Sequence, residues 1–202
     1  MVAAVVSAVV AASSWSALSA WSASTRTSPF DRLLGGDNGA AVTEADGVLP
    51  DSVTVFDDGY AGVAHLDPGL LRALRKAATD ADDEGVELFV NSGWRSPEYQ
   101  DRLLRDAVST YGSEQEAARW VATADTSPHV SGEAVDIGPA AARAWLAGRG
   151  AAYGLCEVYG NEPWHYELRP QAVDHGCPAV YPDPTRDPRM RSGQTPRSGA
   201  GG

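Results

Sequence analysis

Residues 127–138, with the sequence SPHVSGEAVDIG, constrain the fold more than any other stretch of the chain. Its second half, GEAVDIG, alternates apolar and polar residues between two glycines, which is typical of a β-strand. On such a strand Asp136 shares a face with Ala134, whereas Val135 and Ile137 point to the opposite face. The stretch therefore predicts a strand that carries a carboxylate among small neighbours, above a second face that is free to enter a core.

A histidine in the same stretch, His129, precedes Asp136 by seven residues. If the turn at Gly132 folds back, the imidazole and the carboxylate come together, and both groups are ligands that zinc accepts. A zinc hydrolase needs about three protein ligands, and His165 lies on a later predicted strand that could pair within the same sheet. Each residue alone is more often a loop, cap or strand residue, so only the combination favours a metal site.

The remaining segments have clear boundaries. Two long helices, at 67–85 and 96–112, are each predicted by a polar N-cap residue, a following proline and a final glycine. Shorter helices are predicted at 113–124, with a capping box, and at 139–150. Strands are predicted at 52–56, 86–93, 132–138, 155–160 and 164–169. Because helices come early and strands cluster late, we expect an α+β fold with a mainly antiparallel sheet and helices packed on one side.

The 202 residues are enough for one domain with a hydrophobic core. Residues 1–24 are almost free of charge and rich in Ala, Val and Ser, which predicts an export segment, with a membrane anchor as the alternative. Residues 25–50 are interpreted as a linker, and residues 182–202, rich in Pro, Gly and Arg, as a disordered tail. The folded domain is therefore expected at residues 51–181.

Charge and cysteine content narrow the function classes. The formal net charge of −11 argues against a nucleic-acid partner, because phosphates require a basic surface. Cys156 and Cys177 are the two cysteines, and in an exported protein the simplest interpretation of an isolated pair is a disulfide. Two reduced core thiols are the alternative if the chain is not exported. The bridge would enclose the segment that carries His165.

Three motifs carry a resemblance to a known family: SGWRSPEYQ at 92–100, SPHVSGEAVDIG at 127–138 and EPWHYE at 162–167. In order and spacing they resemble the motifs of VanY-type D-alanyl-D-alanine carboxypeptidases. That family also resembles the VanX dipeptidases and, more distantly, the zinc domain of hedgehog proteins. The resemblance covers about residues 50–180 and implies a DD-peptidase-like zinc fold of the hedgehog type.

The resemblance assigns roles to the matched positions. It implies that Zn²⁺ is bound by three ligands, which are His129, Asp136 and His165. It implies that Glu162 is the catalytic base and that Arg95 is the cation facing the reacting carbonyl. Gln100 and Ser127 match polar positions near the substrate cleft of the family and are predicted to contact substrate.

Glu167 competes with Glu162 for the role of base, because residues two apart on a strand share a face and Glu167 is two residues after His165. Pro163 indicates that the strand begins there, which leaves Glu162 in the preceding loop and free to turn inward. Glu167 would then orient a ligand histidine from behind. We therefore expect Glu162 to be the base.

The function that the resemblance implies is removal of the terminal D-alanine from peptidoglycan stem peptides. The enzyme would act at the cell wall, outside the cytoplasm, as a secreted or membrane-anchored monomer. One alternative is an endopeptidase that cuts between L-alanine and D-glutamate. Another is a noncatalytic, zinc-stabilised wall-binding module, and the presence of Glu162 and Arg95 argues against it because a binding module needs neither residue.

Overall fold

The centre of the molecule is a four-stranded sheet, in a computed structural model that describes residues 41–191. Its strands are Phe89–Ser92 (β1), Ala134–Gly138 (β2), Leu155–Glu157 (β3) and His165–Leu168 (β4). They lie in the order β1-β2-β4-β3, and every neighbouring pair is antiparallel. The expected α+β fold with an antiparallel sheet is confirmed.

Helices occupy most of the first half of the described chain. The α-helices are Ala61–Ala64 (α1), Pro68–Asp82 (α2), Pro97–Tyr111 (α3), Glu114–Ala117 (α4), Ala140–Arg149 (α5) and Ala172–His175 (α6). Short 3-10 helices lie at Glu44–Asp46, Gly150–Tyr153, Pro184–Arg186 and Pro188–Arg191. Among helices within residues 41–191, none combines the length and the apolar character needed to cross a bilayer.

Both long helices begin where their sequence signals predict, and α3 also ends where predicted, whereas α2 ends at Asp82, before the predicted Gly85. Asp67 Oδ1 accepts hydrogen bonds from the backbone N–H groups of Gly69 and Leu70, at 2.8 and 3.0 Å. These bonds satisfy donors that have no partner within the first turn of α2. Helix α3 is capped by Ser96 in the same way and ends at Gly112, whose φ of 81° lies in the left-handed region that glycine adopts readily.

The hydrophobic core lies between one face of the sheet and helices α2 and α5. Its buried side chains include Leu70, Leu74, Val90, Val135, Ile137, Trp145, Leu146, Leu155 and Tyr166. Val135 and Ile137 of β2 both belong to this core, as the alternation in the sequence predicts. The intervening residue of β2, Asp136, is therefore presented on the other face of the sheet.

The prediction of a strand at 52–56 is wrong. Within this segment Thr54 forms a single isolated bridge to Phe89. The carboxylate of Asp57 accepts hydrogen bonds from the backbone N–H and the hydroxyl of Thr54, both at 2.7 Å. This local bond closes a turn, and the chain bends away before a strand can continue.

The helix predicted at 113–124 is confined to the single turn of α4. Its predicted cap is present, because Ser113 Oγ accepts a hydrogen bond from the backbone N–H of Glu116 at 3.2 Å. Beyond that turn, side chains from elsewhere bind the backbone carbonyls: Asn161 Nδ2 donates to Arg119 at 2.7 Å, and Gln100 Nε2 donates to Ala122 at 2.8 Å. These tertiary bonds take the place of the helical pattern.

The folded part extends past the predicted limits of 51–181 on both sides. Asp46, placed in the predicted linker, accepts a hydrogen bond from the hydroxyl of Ser96 at 3.1 Å. Arg189, placed in the predicted tail, pairs with Glu167 of β4 at 2.7 Å. These contacts attach both segments to the domain, which corrects the boundaries. The predicted export segment lies outside the described residues, as do the first part of the predicted linker and the last part of the predicted tail.

The predicted disulfide is present. Cys156 of the edge strand β3 is bonded to Cys177, and the two positions are separated by 21 residues. The bridge closes a loop that contains all of β4. It therefore ties the chain that follows α6 back to the sheet.

Replacing both cysteines by alanine should lower the free energy of unfolding by about 3 kcal/mol, because the bridge restricts the unfolded chain. Urea denaturation of the double variant and of the wild type measures the difference. A reductant should destabilise the wild type by a similar amount and leave the double variant unchanged. Equal stability of the double variant and the disulfide-bonded wild type would contradict a structural role for the bridge.

Candidate metal centre

Three polar side chains converge on the face of the sheet opposite the core. Asp136 of β2 is paired with His165 of β4 in the antiparallel register, so both side chains emerge on the same face. His129 reaches them from the loop before β2. This loop needs its glycine: Gly132 has a φ of 78°, and a Cβ there would lie 2.4 Å from the backbone oxygen of His65.

The three groups present atoms that form a nearly equilateral triangle. His129 Nε2 and His165 Nδ1 are 3.2 Å apart. Asp136 Oδ1 lies 3.4 Å from His129 Nε2 and 3.3 Å from His165 Nδ1. Tetrahedral zinc ligands at about 2.0–2.1 Å from the ion are separated from one another by about 3.3 Å. Both the ligand types and their spacing therefore fit a zinc ion.

The hydrogen-bond acceptor on the far side of each imidazole determines which ring nitrogen carries a hydrogen. His129 Nδ1 is 2.8 Å from the carbonyl oxygen of Gly93, which can only accept, so Nδ1 is the donor. His165 Nε2 is 3.3 Å from Glu167 Oε1 and donates to that carboxylate. In the neutral rings, His129 Nε2 and His165 Nδ1 thus direct lone pairs toward each other and toward Asp136 Oδ1. Three acceptors in this arrangement repel one another unless a cation, which can be a proton on His165 Nδ1 or a metal ion, lies between them.

The electrostatics of the group also favour a positive charge. Asp136 Oδ1 is buried and has no hydrogen-bond partner among the described residues. Burial alone would lower the pKa of His165, but the carboxylates of Asp136 and Glu167 outweigh it and raise that pKa to about 9. Burial and the nearby guanidinium of Arg95 lower the pKa of His129, which keeps that imidazole neutral. The site therefore attracts a cation while retaining one uncharged imidazole.

Arg95 lies beside the carboxylate of Asp136. Its Nη2 donates to Asp136 Oδ2 at 3.0 Å, its Nη1 to Gln100 Oε1 at 3.1 Å and its Nε to Ser92 Oγ at 2.8 Å. Because Oδ2 is engaged by Arg95, Oδ1 is left to face the two histidines. Gln100 is 1% exposed, and its amide also donates to Ala122. The amide oxygen thus supports Arg95, and the amide nitrogen binds the backbone. The predicted contact of Gln100 with substrate stays a prediction.

Glu162 occupies the loop before β4, as the sequence predicts. Its Oε2 is 3.9 Å from His165 Nδ1, and its Oε1 is buried without a hydrogen-bond partner in the described part of the chain. Burial raises the pKa of Glu162 to about 7. Ser127 is buried in the turn before β2, and its contact with substrate stays a prediction.

Sequence reasoning missed a cluster of charged residues behind the three converging side chains. The buried carboxylate of Glu167 pairs with Arg169 at 2.8 Å and with Arg189 at 2.7 Å. Arg189 also donates to Asp187, which is fully buried. Asp187 begins an Asp-Pro pair like the one that starts α2, and this signal could have identified an ordered turn within the predicted tail.

Sequence comparison identifies the family. The sequence profile of VanY, D-alanyl-D-alanine carboxypeptidase, matches residues 64–171. A D-alanyl-D-alanine carboxypeptidase of Enterococcus faecalis is 31% identical over 108 residues, which cover 41% of this chain and 40% of the relative. The chain therefore aligns with less than half of the length of that relative.

Solved structures of similar fold agree with the profile. VanYB in complex with D-alanine-D-alanine is 26% identical, with a TM-score of 0.50, over 55% of this chain and 74% of that chain. The LdcB LD-carboxypeptidase is 26% identical, with a TM-score of 0.51, over 63% of this chain and 71% of that chain. Since the family profile matches more than half of its residues, this chain belongs to the VanY family of D-alanyl-D-alanine carboxypeptidases.

Proposed function

We propose that this protein is a zinc-dependent carboxypeptidase that removes the terminal D-alanine from peptidoglycan stem peptides. The observation that carries the proposal is the triangle of His129 Nε2, Asp136 Oδ1 and His165 Nδ1, with sides of 3.2 to 3.4 Å. Family membership and the likeness to VanYB, which is in complex with D-alanine-D-alanine, support the choice of peptide bond.

In this proposal His129, Asp136 and His165 hold the zinc ion. When bound, zinc lowers the pKa of a water molecule to about 7 and polarises a carbonyl group. Two neutral imidazoles and one carboxylate leave the site with a net positive charge. The contacts on the far sides of the imidazoles hold both rings in the tautomer that ligation requires.

Glu162 is the proton carrier. Burial raises the proton affinity of Glu162, which suits a carboxylate that would accept a proton from the attacking water and pass it to the departing amine of D-alanine. Its position supports this role, because Oε2 is 3.9 Å from His165 Nδ1 and Oε1 has no partner within the described residues.

Arg95 has two tasks in the proposal. It holds Asp136 Oδ2, so that Oδ1 stays directed at the histidines. Its guanidinium would also stabilise the negative charge that develops on the scissile carbonyl oxygen. Loss of one such contact typically costs about 3 kcal/mol in the activation barrier.

A second candidate activity is that of an L,D-carboxypeptidase. It is favoured by the likeness to the LdcB LD-carboxypeptidase, with a TM-score of 0.51. Both activities could use the same metal centre and the same base. They differ in the residue that precedes the cleaved bond, so the products distinguish them.

We place the enzyme outside the cytoplasm, at the cell wall. The Cys156–Cys177 disulfide supports this location, because disulfides persist in oxidising compartments. A peptidoglycan substrate would also be found there. Attachment of the N-terminal segment to a membrane and a monomeric state stay predictions.

Zinc-loaded protein should remove one D-alanine from muropeptides that end in D-Ala-D-Ala, and mass spectrometry should show each stem lighter by one alanine. A chelator should abolish the reaction and added zinc should restore it, because the attacking water depends on the metal. Cleavage of tetrapeptides that end in a single D-alanine would show L,D-carboxypeptidase activity instead. Release of a whole stem would show an endopeptidase, and bound zinc without cleavage would indicate a binding module.

The substitution Glu162→Gln should lower kcat by about 10²- to 10⁴-fold and leave the zinc content unchanged, because it removes the proton carrier and no metal ligand. The matched control is Glu167→Gln, which keeps an acceptor for His165 Nε2. At saturating zinc it should retain most of the wild-type kcat. Steady-state kinetics with metal analysis would refute the assignment if the two variants showed the reverse pattern.

A further inference from the structure

Residues 181–189, here called the C-terminal clamp, lie beyond the part of the chain that matches the family profile. We propose that the clamp sets the zinc affinity of the metal centre by positioning His165 through Glu167, with Arg189 as the positioning residue. The inference rests on the metal centre proposed above and extends it to residues that the family match does not reach.

The start of the clamp is fixed to the edge of the sheet. Just before it, Cys177 is bonded to Cys156 of β3. Tyr181 then donates its backbone N–H to Val158 at 2.9 Å and accepts a hydrogen bond from the backbone N–H of Gly160 at 2.8 Å. The clamp therefore enters alongside the chain that continues from β3, and from there it returns to β4.

The end of the clamp holds Arg189 between two buried carboxylates. Its Nη1 donates to Glu167 Oε2 at 2.7 Å and its Nη2 to Glu167 Oε1 at 3.1 Å. Its Nε donates to Asp187 Oδ2 at 3.0 Å, and Asp187 also accepts from the hydroxyl of Tyr159 at 3.1 Å. The ring of Tyr159 lies 5.0 Å from that of His165. The guanidinium is thus fixed in place directly behind the metal centre.

The contact with both oxygens of Glu167 orients its carboxylate plane. In that orientation Oε1 lies 3.3 Å from His165 Nε2 and accepts its hydrogen, which leaves Nδ1 as the ligand atom. Arg169 contacts the other oxygen, Oε2, at 2.8 Å. Without Arg189 the carboxylate would be held through Oε2 and could rotate. His165 would then lose the fixed acceptor that keeps its Nδ1 aimed at the metal.

The test measures the zinc dissociation constant of the 202-residue chain by competition with a chromophoric chelator. Arg189→Ala should raise the Kd about tenfold, as loss of a partner behind a metal ligand typically does. The matched control is Arg186→Ala, an exposed arginine three residues earlier in the clamp, which should change the Kd less than twofold. The visible spectrum of the cobalt-substituted protein should change in Arg189→Ala and not in the control.

A double-mutant cycle shows whether Arg189 acts through Glu167. Added to Glu167→Gln, Arg189→Ala should raise the Kd by clearly less than it does in the wild type, and a full additional rise would overturn the proposal. If circular dichroism shows that Arg189→Ala is unfolded, Arg189→Lys replaces it. Lysine keeps the charge and loses the bidentate contact with Glu167, so it should raise the Kd about threefold. No rise would overturn the proposal.

Separate results would overturn the proposed metal centre and the proposed role of the clamp. A wild-type protein that does not bind zinc would remove the metal centre itself. A wild-type protein that binds zinc, with an Arg189→Ala variant that binds it equally well, would remove only the role of the clamp.

Discussion

The repulsion among three lone pairs is the interaction on which the rest of the site depends. Two imidazole nitrogens and one carboxylate oxygen face one another across 3.2 to 3.4 Å, and a cation between them turns that repulsion into attraction. Each group has its other polar atom held by a partner, so none can turn away easily. The partners are Gly93 for His129, Glu167 for His165 and Arg95 for Asp136.

The antiparallel register of β2 and β4 fixes the positions of Asp136 and His165 relative to each other. Val135, Ile137 and Tyr166 enter the core from these strands, while Asp136 and His165 emerge on the opposite face. A shift of one residue in either strand would turn Asp136 or His165 into the core and expose the core residues of that strand. The core packing that stabilises the fold therefore also fixes two of the three proposed ligands.

Much of this arrangement could be predicted from the sequence because its signals are local. The cap and proline that begin α2 and α3, and the alternation along β2, each act within a few residues. The ligand set was predicted from a resemblance in three motifs, and the structure brings all three side chains together. Tautomers and the orphaned oxygen of Asp136 follow only from tertiary contacts, such as the carbonyl of Gly93, that no local pattern reveals.

The predicted disordered tail shows why amino-acid composition alone could not predict which residues are ordered. Residues 182–191 are rich in proline and arginine, which is typical of disorder, yet Arg189 pairs with the buried Glu167 of β4. Glu167 was predicted to orient a histidine, but Arg189 had no such signal because its partner lies 22 residues earlier in the chain. Similarly, the strand predicted at 52–56 failed because a single side chain, Asp57, closes a turn there.

The most direct test of the metal centre is a crystal structure of the zinc-loaded protein with anomalous diffraction data at the zinc absorption edge. We predict one anomalous peak about 2.0–2.1 Å from each of His129 Nε2, Asp136 Oδ1 and His165 Nδ1. Zinc-saturated crystals with no peak among these atoms, or with the ion bound by other side chains, would contradict the central claim.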